Sequence, residues 1–280
     1  MSDPSPRHLL IDGLGLIGGS IARAARVASP DIAITGIVRD ISRYTSAVEA
    51  GVVDAVVLSA ADCEQSVDLA IACTPVDRIV PGLEAIAAAH PDATLTDAGS
   101  AKQQIADAAD ASTELSRFVP AHPLAGSERT GWESGTASLL SGAACVICPR
   151  DGNSDDDSAA VERFWQSLGM RTLRMSAAEH DAQLAQTSHL PHLTASLLTL
   201  ATRDADVRMI ASGFRDTTRV AAGDAGLWTA IIEQNRTEVL SGLGSLRNEL
   251  DTLAEHVRAN DWEAVRSMLQ EAAERRRSID

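Results

Sequence analysis

Hydrophobic and polar positions follow two different rhythms along this chain. Up to about residue 175, short apolar runs alternate with stretches of helical periodicity, as expected for strands alternating with helices. The strands are predicted over residues 7–12, 32–38, 67–73, 93–97, 117–120, 139–149 and 171–175, the last at an edge. The run 67–73 is nearly all apolar, as a buried parallel strand requires. Helices are predicted at 21–27, 76–89, 101–109 and 159–168, and the acidic stretch 151–157 reads as an exposed loop. After Met175 no strand is convincing, and 177–203, 207–212, 227–260 and 262–276 all read as helices. In 227–260, Ile231, Ile232, Val239, Leu240, Leu243, Leu246, Leu250 and Leu253 form an apolar stripe beside a polar face. A helix of that length in so small a unit would bury its stripe best against a second copy. The expectation is an α/β domain at 1–175, then an all-helical domain at 176–280 that pairs with a second copy.

The first strand runs into Gly13-Leu14-Gly15-Leu16-Ile17-Gly18, and a helix follows. This is G-x-G-x-x-G in the strand–turn–helix setting that dinucleotides need. The first glycine permits the tight turn, the second lets backbone approach a pyrophosphate, and the third lets helix and strand pack closely. Free N–H groups at the helix start would hold the phosphates. Where an acid at the end of the second strand would accept ribose hydroxyls, this chain has Val38, followed by Arg39 and Asp40. An arginine there suits a 2′-phosphate and favours NADP, while Asp40 keeps NAD open. Thr74 and Pro75, after the strand 67–73, are expected to face the same cofactor.

Composition narrows the partners. The 280 residues carry a formal charge of −15, which argues against nucleic acid. No apolar run is long enough to span a membrane, and the first residues lack the pattern of a signal peptide, so a cytoplasmic protein is expected. Cys145-Val-Ile-Cys148 spells C-x-x-C, but residues three apart on a strand point to opposite faces, so a structural role is expected and no metal site.

Candidate chemistry centres on Pro120-Ala-His122-Pro123. Two prolines hold this histidine in stiff, extended backbone at what reads as the end of a strand, where ligands of parallel sheets bind. Ser100, after the strand 93–97, could donate a hydrogen bond or cap the helix 101–109. Three further polar clusters stand out: Ser127-Glu128, then Ser188-His189-Leu-Pro191-His192 inside an apolar helix, and Phe214-Arg215-Asp216-Thr-Thr-Arg219 between helices. Their arginines supply positive charge that the acidic chain otherwise lacks, in the forked form that matches carboxylates.

The ordered set Gly-Leu-Gly-Leu-Ile-Gly-Gly-Ser, Asp-Ala-Gly-Ser-Ala-Lys, His-Pro-Leu-Ala-Gly, Ser-His-Leu-Pro-His and Phe-Arg-Asp-Thr-Thr-Arg resembles the prephenate/arogenate dehydrogenases of tyrosine synthesis, from residue 7 to about 260. The resemblance implies an α/β fold with a Rossmann-like dinucleotide-binding domain at 1–175 and an all-helical substrate-binding and dimerisation domain at 176–280, hence a homodimer, and an anionic small-molecule substrate. It implies that His122 accepts the proton of a ring hydroxyl, that Ser100 bonds near that hydroxyl, and that Arg219 clamps the ring carboxylate. Ser188, His189 and His192 would line the substrate pocket, with Arg215 beside it, and Glu128 and Asp216 would belong to a gating ionic network. Prephenate is favoured as substrate, with arogenate the alternative. A β-hydroxyacid-type dehydrogenase would need a lysine in the helical domain, whereas the only lysine is Lys102. A non-catalytic nucleotide sensor would not need His122, Arg219 or the serine–histidine cluster.

Overall fold

The computed structural model describes residues 6–127 and 129–279. Glu128 therefore lies outside the described residues. The strands β1 (His8–Asp12), β2 (Ala33–Ile37), β3 (Ala55–Val57), β4 (Leu69–Ala72), β5 (Thr94–Asp97) and β6 (Phe118–Val119) form one parallel sheet in the order β3-β2-β1-β4-β5-β6. Neighbouring residues of β1 feed two cores. Leu9 and Ile11 pack with the helix α1 (Leu16–Ala28) and with α5 (Asp155–Ser167), whereas Leu10 packs with α3 (Val76–Ala89) and α4 (Gln103–Asp110). Helices thus cover both faces, which is why β1 and β4 can be apolar throughout. This is the Rossmann-like unit expected, followed by helices.

Several elements differ from expectation. The strand β3 and the short helix α2 (Thr45–Glu49) before it were not foreseen, because Asp54 interrupts the apolar run 52–57. The Asp54 carboxylate earns its place by accepting from Arg26 and from Ile34 N. The stretch 151–157 is not all exposed loop. Ser154 caps α5, and Asp157 is buried where it accepts from Thr94 Oγ1 and Arg117. Ser100 does not cap α4. Asp181 does so from 79 residues further along, accepting from Lys102 N and Gln103 N.

The chain leaves the parallel sheet at Pro120. β7 (Ala121–Pro123) then pairs antiparallel with β8 (Ala144–Ile147), which lies parallel to β9 (Arg171–Arg174) in a separate three-stranded sheet. His122 therefore sits inside a strand of this second sheet, opposite Val146, and not in a loop at the end of the first. Cys145 and Cys148 are both buried and both free.

The second unit is helical. The helix α6 (Ala177–Leu184) continues through a π-helical turn, Ala185–His189, into α7 (Leu190–Ala201). Pro191 does not interrupt this helix. The wider turn just before it relieves the clash of a proline ring with the preceding carbonyls. The polar patch 213–220 is mostly helix, as α8 (Ser212–Thr218) and a tight turn over Arg219–Ala222. The long helix foreseen over 227–260 is two helices, α9 (Ala225–Gln234) and α10 (Arg236–Ala259), broken at Asn235. A turn at Asn260, with φ 54°, leads into α11 (Trp262–Arg277).

Candidate active site

The glycine loop lies where β1 meets α1. Gly13 has φ +98°, and an added Cβ would also press on the backbone of Cys73. A Cβ on Gly18 would run into the carbonyl of Gly13, so α1 can pack this close only with glycine there. Gly15 is different, because a Cβ there would meet nothing within 4 Å. It also begins α1 without any side-chain cap, so the first N–H groups of the helix have neither an intrahelical nor a capping acceptor among the described residues. Beside Gly13, the Thr74 hydroxyl is buried and has no hydrogen-bond partner among the described residues. Pro75 begins α3 and lines a cleft of about 730 Å³ between that helix and α9. A cradle of unpaired N–H donors with room left by glycine suits a pyrophosphate, so these residues fit a dinucleotide.

At the end of β2, Val38 is buried and Arg39 is exposed without an ion-pair partner among the described residues. Asp40 turns back to accept from Ser42 N and Oγ, and these bonds hold its carboxyl below the usual range.

Asp12, the last residue of β1, was not singled out in the sequence. Burial raises its carboxyl to about 6. The fold thus prefers it protonated, and this contribution to stability is present at low pH and is lost as pH rises through about 6. Asp12→Asn should therefore raise the unfolding free energy at pH 8 by about 1–3 kcal/mol. It should change little at pH 3.5, below the unfolded value of 3.8, where the acid is mostly protonated in both states. Urea melts at the two pH values check this.

The carboxyl ends of the central strands carry a tight polar cluster. Asp97 ends β5, and its Oδ2 accepts from Gly99 N and pairs with Lys102 Nζ while its Oδ1 accepts from Ala121 N at 3.0 Å. One carboxylate thus ties the Ser100 turn to the strand that carries His122. Ser100 itself is half-buried and has no hydrogen bond among the described residues. Lys102 is fully buried.

His122 is 8% exposed. Its Nδ1 lies 2.9 Å from His180 Nε2, and His180 Nδ1 lies 2.7 Å from Asp181 Oδ1. Burial, then His180, Lys102 and His189, hold the pKa of His122 well below 6.5, so its imidazole is neutral at neutral pH. His189 is buried as well, with its pKa pushed down to about 4 by burial. Asn235 Nδ2 donates to the carbonyl of Asp181 at 2.8 Å and reaches His189 Nδ1 at 3.2 Å. That contact leaves the His189 proton on Nε2 and explains why the helix breaks at Asn235.

His192 stacks on Trp228, with centroids 3.6 Å apart, and the backbone at Gly223 closes over both rings. Ser188 lies on the π turn, half-buried. Arg215, Asp216 and Arg219 are exposed on α8 and the turn after it, and no hydrogen bond or ion pair joins them to His122. The structure thus places His189 close enough to His122 to influence its charge, joins the Ser100 turn to the His122 strand through Asp97, and separately sets His192 against the backbone at Gly223. Sequence reasoning missed His180, Asp181, Asn235 and Trp228. The adjacent His180-Asp181 pair, a few residues before Ser188, was the one available signal.

A dinucleotide cradle at the carboxyl edge of a parallel sheet, facing a buried neutral base, is the plan of a nicotinamide-dependent dehydrogenase. Family models agree. Residues 21–174 match the prephenate dehydrogenase nucleotide-binding domain, and residues 176–271 the prephenate dehydrogenase dimerization domain. A cyclohexadienyl dehydrogenase of Zymomonas mobilis is 32% identical over 98% of this chain and 96% of its own length. Among solved structures, prephenate dehydrogenase from A. aeolicus, in complex with hydroxyphenyl propionate and NAD+, is 28% identical with TM-score 0.92, covering 100% of both chains. Synechocystis arogenate dehydrogenase is 29% identical with TM-score 0.85, covering 98% of this chain and 100% of that one. The chain belongs to the prephenate/arogenate dehydrogenase family and is a dehydrogenase of that family.

Proposed function

We propose that the protein converts prephenate to 4-hydroxyphenylpyruvate by oxidative decarboxylation. The observation that carries this reading is a buried, neutral His122 tied by Asp97 to the Ser100 turn, at the edge of the glycine cradle. When bound there, NAD(P)+ supplies the hydride acceptor. The chain's own residues do the rest. His122 Nε2 takes the ring hydroxyl proton as the carbonyl forms, and Ser100 Oγ hydrogen-bonds the same oxygen. Arg219 pairs with the ring carboxylate and so orients the ring, with Arg215 adding positive charge nearby. Ser188, His189 and His192 line the pocket, and Asp216 belongs, with Glu128, to a gating ionic network. Loss of carbon dioxide then makes the ring aromatic and drives the reaction forward.

Arogenate differs from prephenate by an ammonium in place of a keto group on the side chain. His192 meets an indole and the backbone at Gly223, and among the described residues no carboxylate hydrogen-bonds or pairs with it, which supports prephenate. Steady-state assays with both substrates and both cofactors, read as absorbance of the reduced nicotinamide, test the assignment. Prephenate should exceed arogenate in kcat/KM by about tenfold or more. The reverse order would assign arogenate instead, and no turnover with either would remove the activity.

For the cofactor, Arg39, without an ion-pair partner among the described residues, and Asp40, engaged by Ser42, support NADP, although the A. aeolicus relative was solved with NAD+. Arg39→Ala should raise KM for NADP about tenfold and leave KM for NAD unchanged, as the loss of one charge-assisted phosphate contact implies. An unchanged NADP value would overturn the preference.

The proposed units are 1–175 and 176–280, with a homodimer formed through the second. Leu240, Leu250, Trp262 and Leu269 are more than half exposed in the single chain, and a self-complementary interface would cover them. No helix among the described residues is long and apolar enough to cross a membrane.

A further inference from the structure

Asp181, His180 and His122 form a directional chain whose sense follows from the donors at its far end. Asp181 Oδ1 accepts from Lys102 N at 2.8 Å, and Oδ2 from Gln103 N at 2.9 Å. Backbone N–H groups can only donate, so both oxygens are committed as acceptors. The acid also sits at the N-terminus of α4, where a negative charge is favoured. His180 Nδ1, 2.7 Å from Oδ1, must then be the nitrogen that carries a proton. In the neutral ring this leaves Nε2 as a lone pair. His122 Nδ1, 2.9 Å from that lone pair, must in turn be protonated. The nitrogen left bare on His122 is Nε2, which has no hydrogen-bond partner among the described residues. All three side chains are nearly or fully buried.

We infer that Asp181 and His180 are positioning residues that fix His122 in the Nδ1–H tautomer and so arm Nε2 as the proton acceptor. The inference rests on the role proposed above for His122. In the step itself, the substrate O–H bond breaks and an Nε2–H bond forms on His122. The resulting imidazolium keeps its Nδ1 proton and donates it to His180 in a charge-assisted bond, while Asp181 stays unprotonated. The same carboxylate caps α4, so the helix start in the nucleotide-binding unit and the base share one anchor in the helical unit.

Three variants separate this relay from simple packing. In Asp181→Asn the NH₂ takes the place of Oδ1 and donates to His180 Nδ1, which leaves Lys102 N without its acceptor, while the amide oxygen in the place of Oδ2 keeps the bond from Gln103 N. His180 then carries its proton on Nε2, His122 is forced to carry its own on Nε2, and no base remains. His180→Leu removes the acceptor for the His122 Nδ1 proton altogether. His180→Gln keeps an acceptor oxygen in its place. Turnover should fall about 100-fold or more in the first two, with KM for substrate and cofactor within about threefold of wild type. His180→Gln should stay within about tenfold of wild-type turnover. Spectra of ¹⁵N-histidine-labelled protein should show His122 protonated on Nδ1 in the wild type and in His180→Gln, and on Nε2 in Asp181→Asn. Equal losses in His180→Gln and His180→Leu, or a His122 tautomer unchanged by Asp181→Asn, would overturn the relay. If Asp181→Asn fails to fold for want of the α4 cap, the two His180 variants decide by themselves. The spectra need no substrate, so they judge the relay even if the wild type turns over neither prephenate nor arogenate.

Discussion

His122→Asn is expected to lower kcat by about 10²–10⁴-fold, the span usual for loss of a general base. Asparagine is close in size and can still hydrogen-bond His180, so the second sheet should keep its form. It cannot accept a proton at neutral pH. The cofactor cradle is built from β1, α1 and Thr74, so the dissociation constant for the nicotinamide cofactor should be unchanged, as measured by titration calorimetry. The wild type should also show the depressed pKa of this histidine in its pH profile. The base works when neutral, so kcat/KM should be flat around pH 7 and fall only as pH drops through a value below 6.5. Near wild-type turnover in His122→Asn would sink the assignment, and an acid limb above pH 6.5 would show that the imidazole is not held neutral as described.

The second large effect should come from Lys102→Met. The two side chains are similar in length, and Lys102 has no exposed surface, so the packing change is small. What changes is that Asp97 loses the cation paired with it in a fully buried site. Breaking a buried pair from one side costs about 3–5 kcal/mol, because a charge is left without compensation. Urea melts should show that loss, and adding Asp97→Asn should recover part of it. A loss below about 1 kcal/mol would mean that the pair is not what holds this corner together. The variant should also move the pH profile. Burial and His180 still depress the pKa of His122, but one of the positive charges facing it is gone, so the acid limb should shift upwards.

The parts of this architecture that were legible in the sequence are those set by local pattern. The glycine loop sits between strand and helix as read, α3 has the bounds predicted for it, and the change of regime near residue 175 is where the strands stop. The parts that were not legible depend on contacts distant in sequence. Nothing in the helical periodicity of 227–260 announces a break, because Asn235 leaves the helix to bond the Asp181 carbonyl and to meet His189. Ser100 looked like the cap of the next helix, since a local cap is the usual solution, yet the cap arrives from Asp181 in the other unit. His122 could be read as stiff and extended, but its second sheet requires β8, and its neighbours His180 and Lys102 come from different elements. The sequence motifs therefore pointed to the base, whereas its protonation state is set by residues that no motif contained.

The single lysine has a practical consequence. Apart from the α-amine, the chain offers amine-directed reagents only one side chain, and Lys102 is wholly enclosed and engaged with Asp97. Acylating reagents should leave it untouched in the closed molecule and reach it only when the corner between β5, α4 and β7 comes apart. The rate at which a mass increment appears on the peptide containing Lys102 would then be a clock for the opening of the active centre, built into the protein without any engineered label.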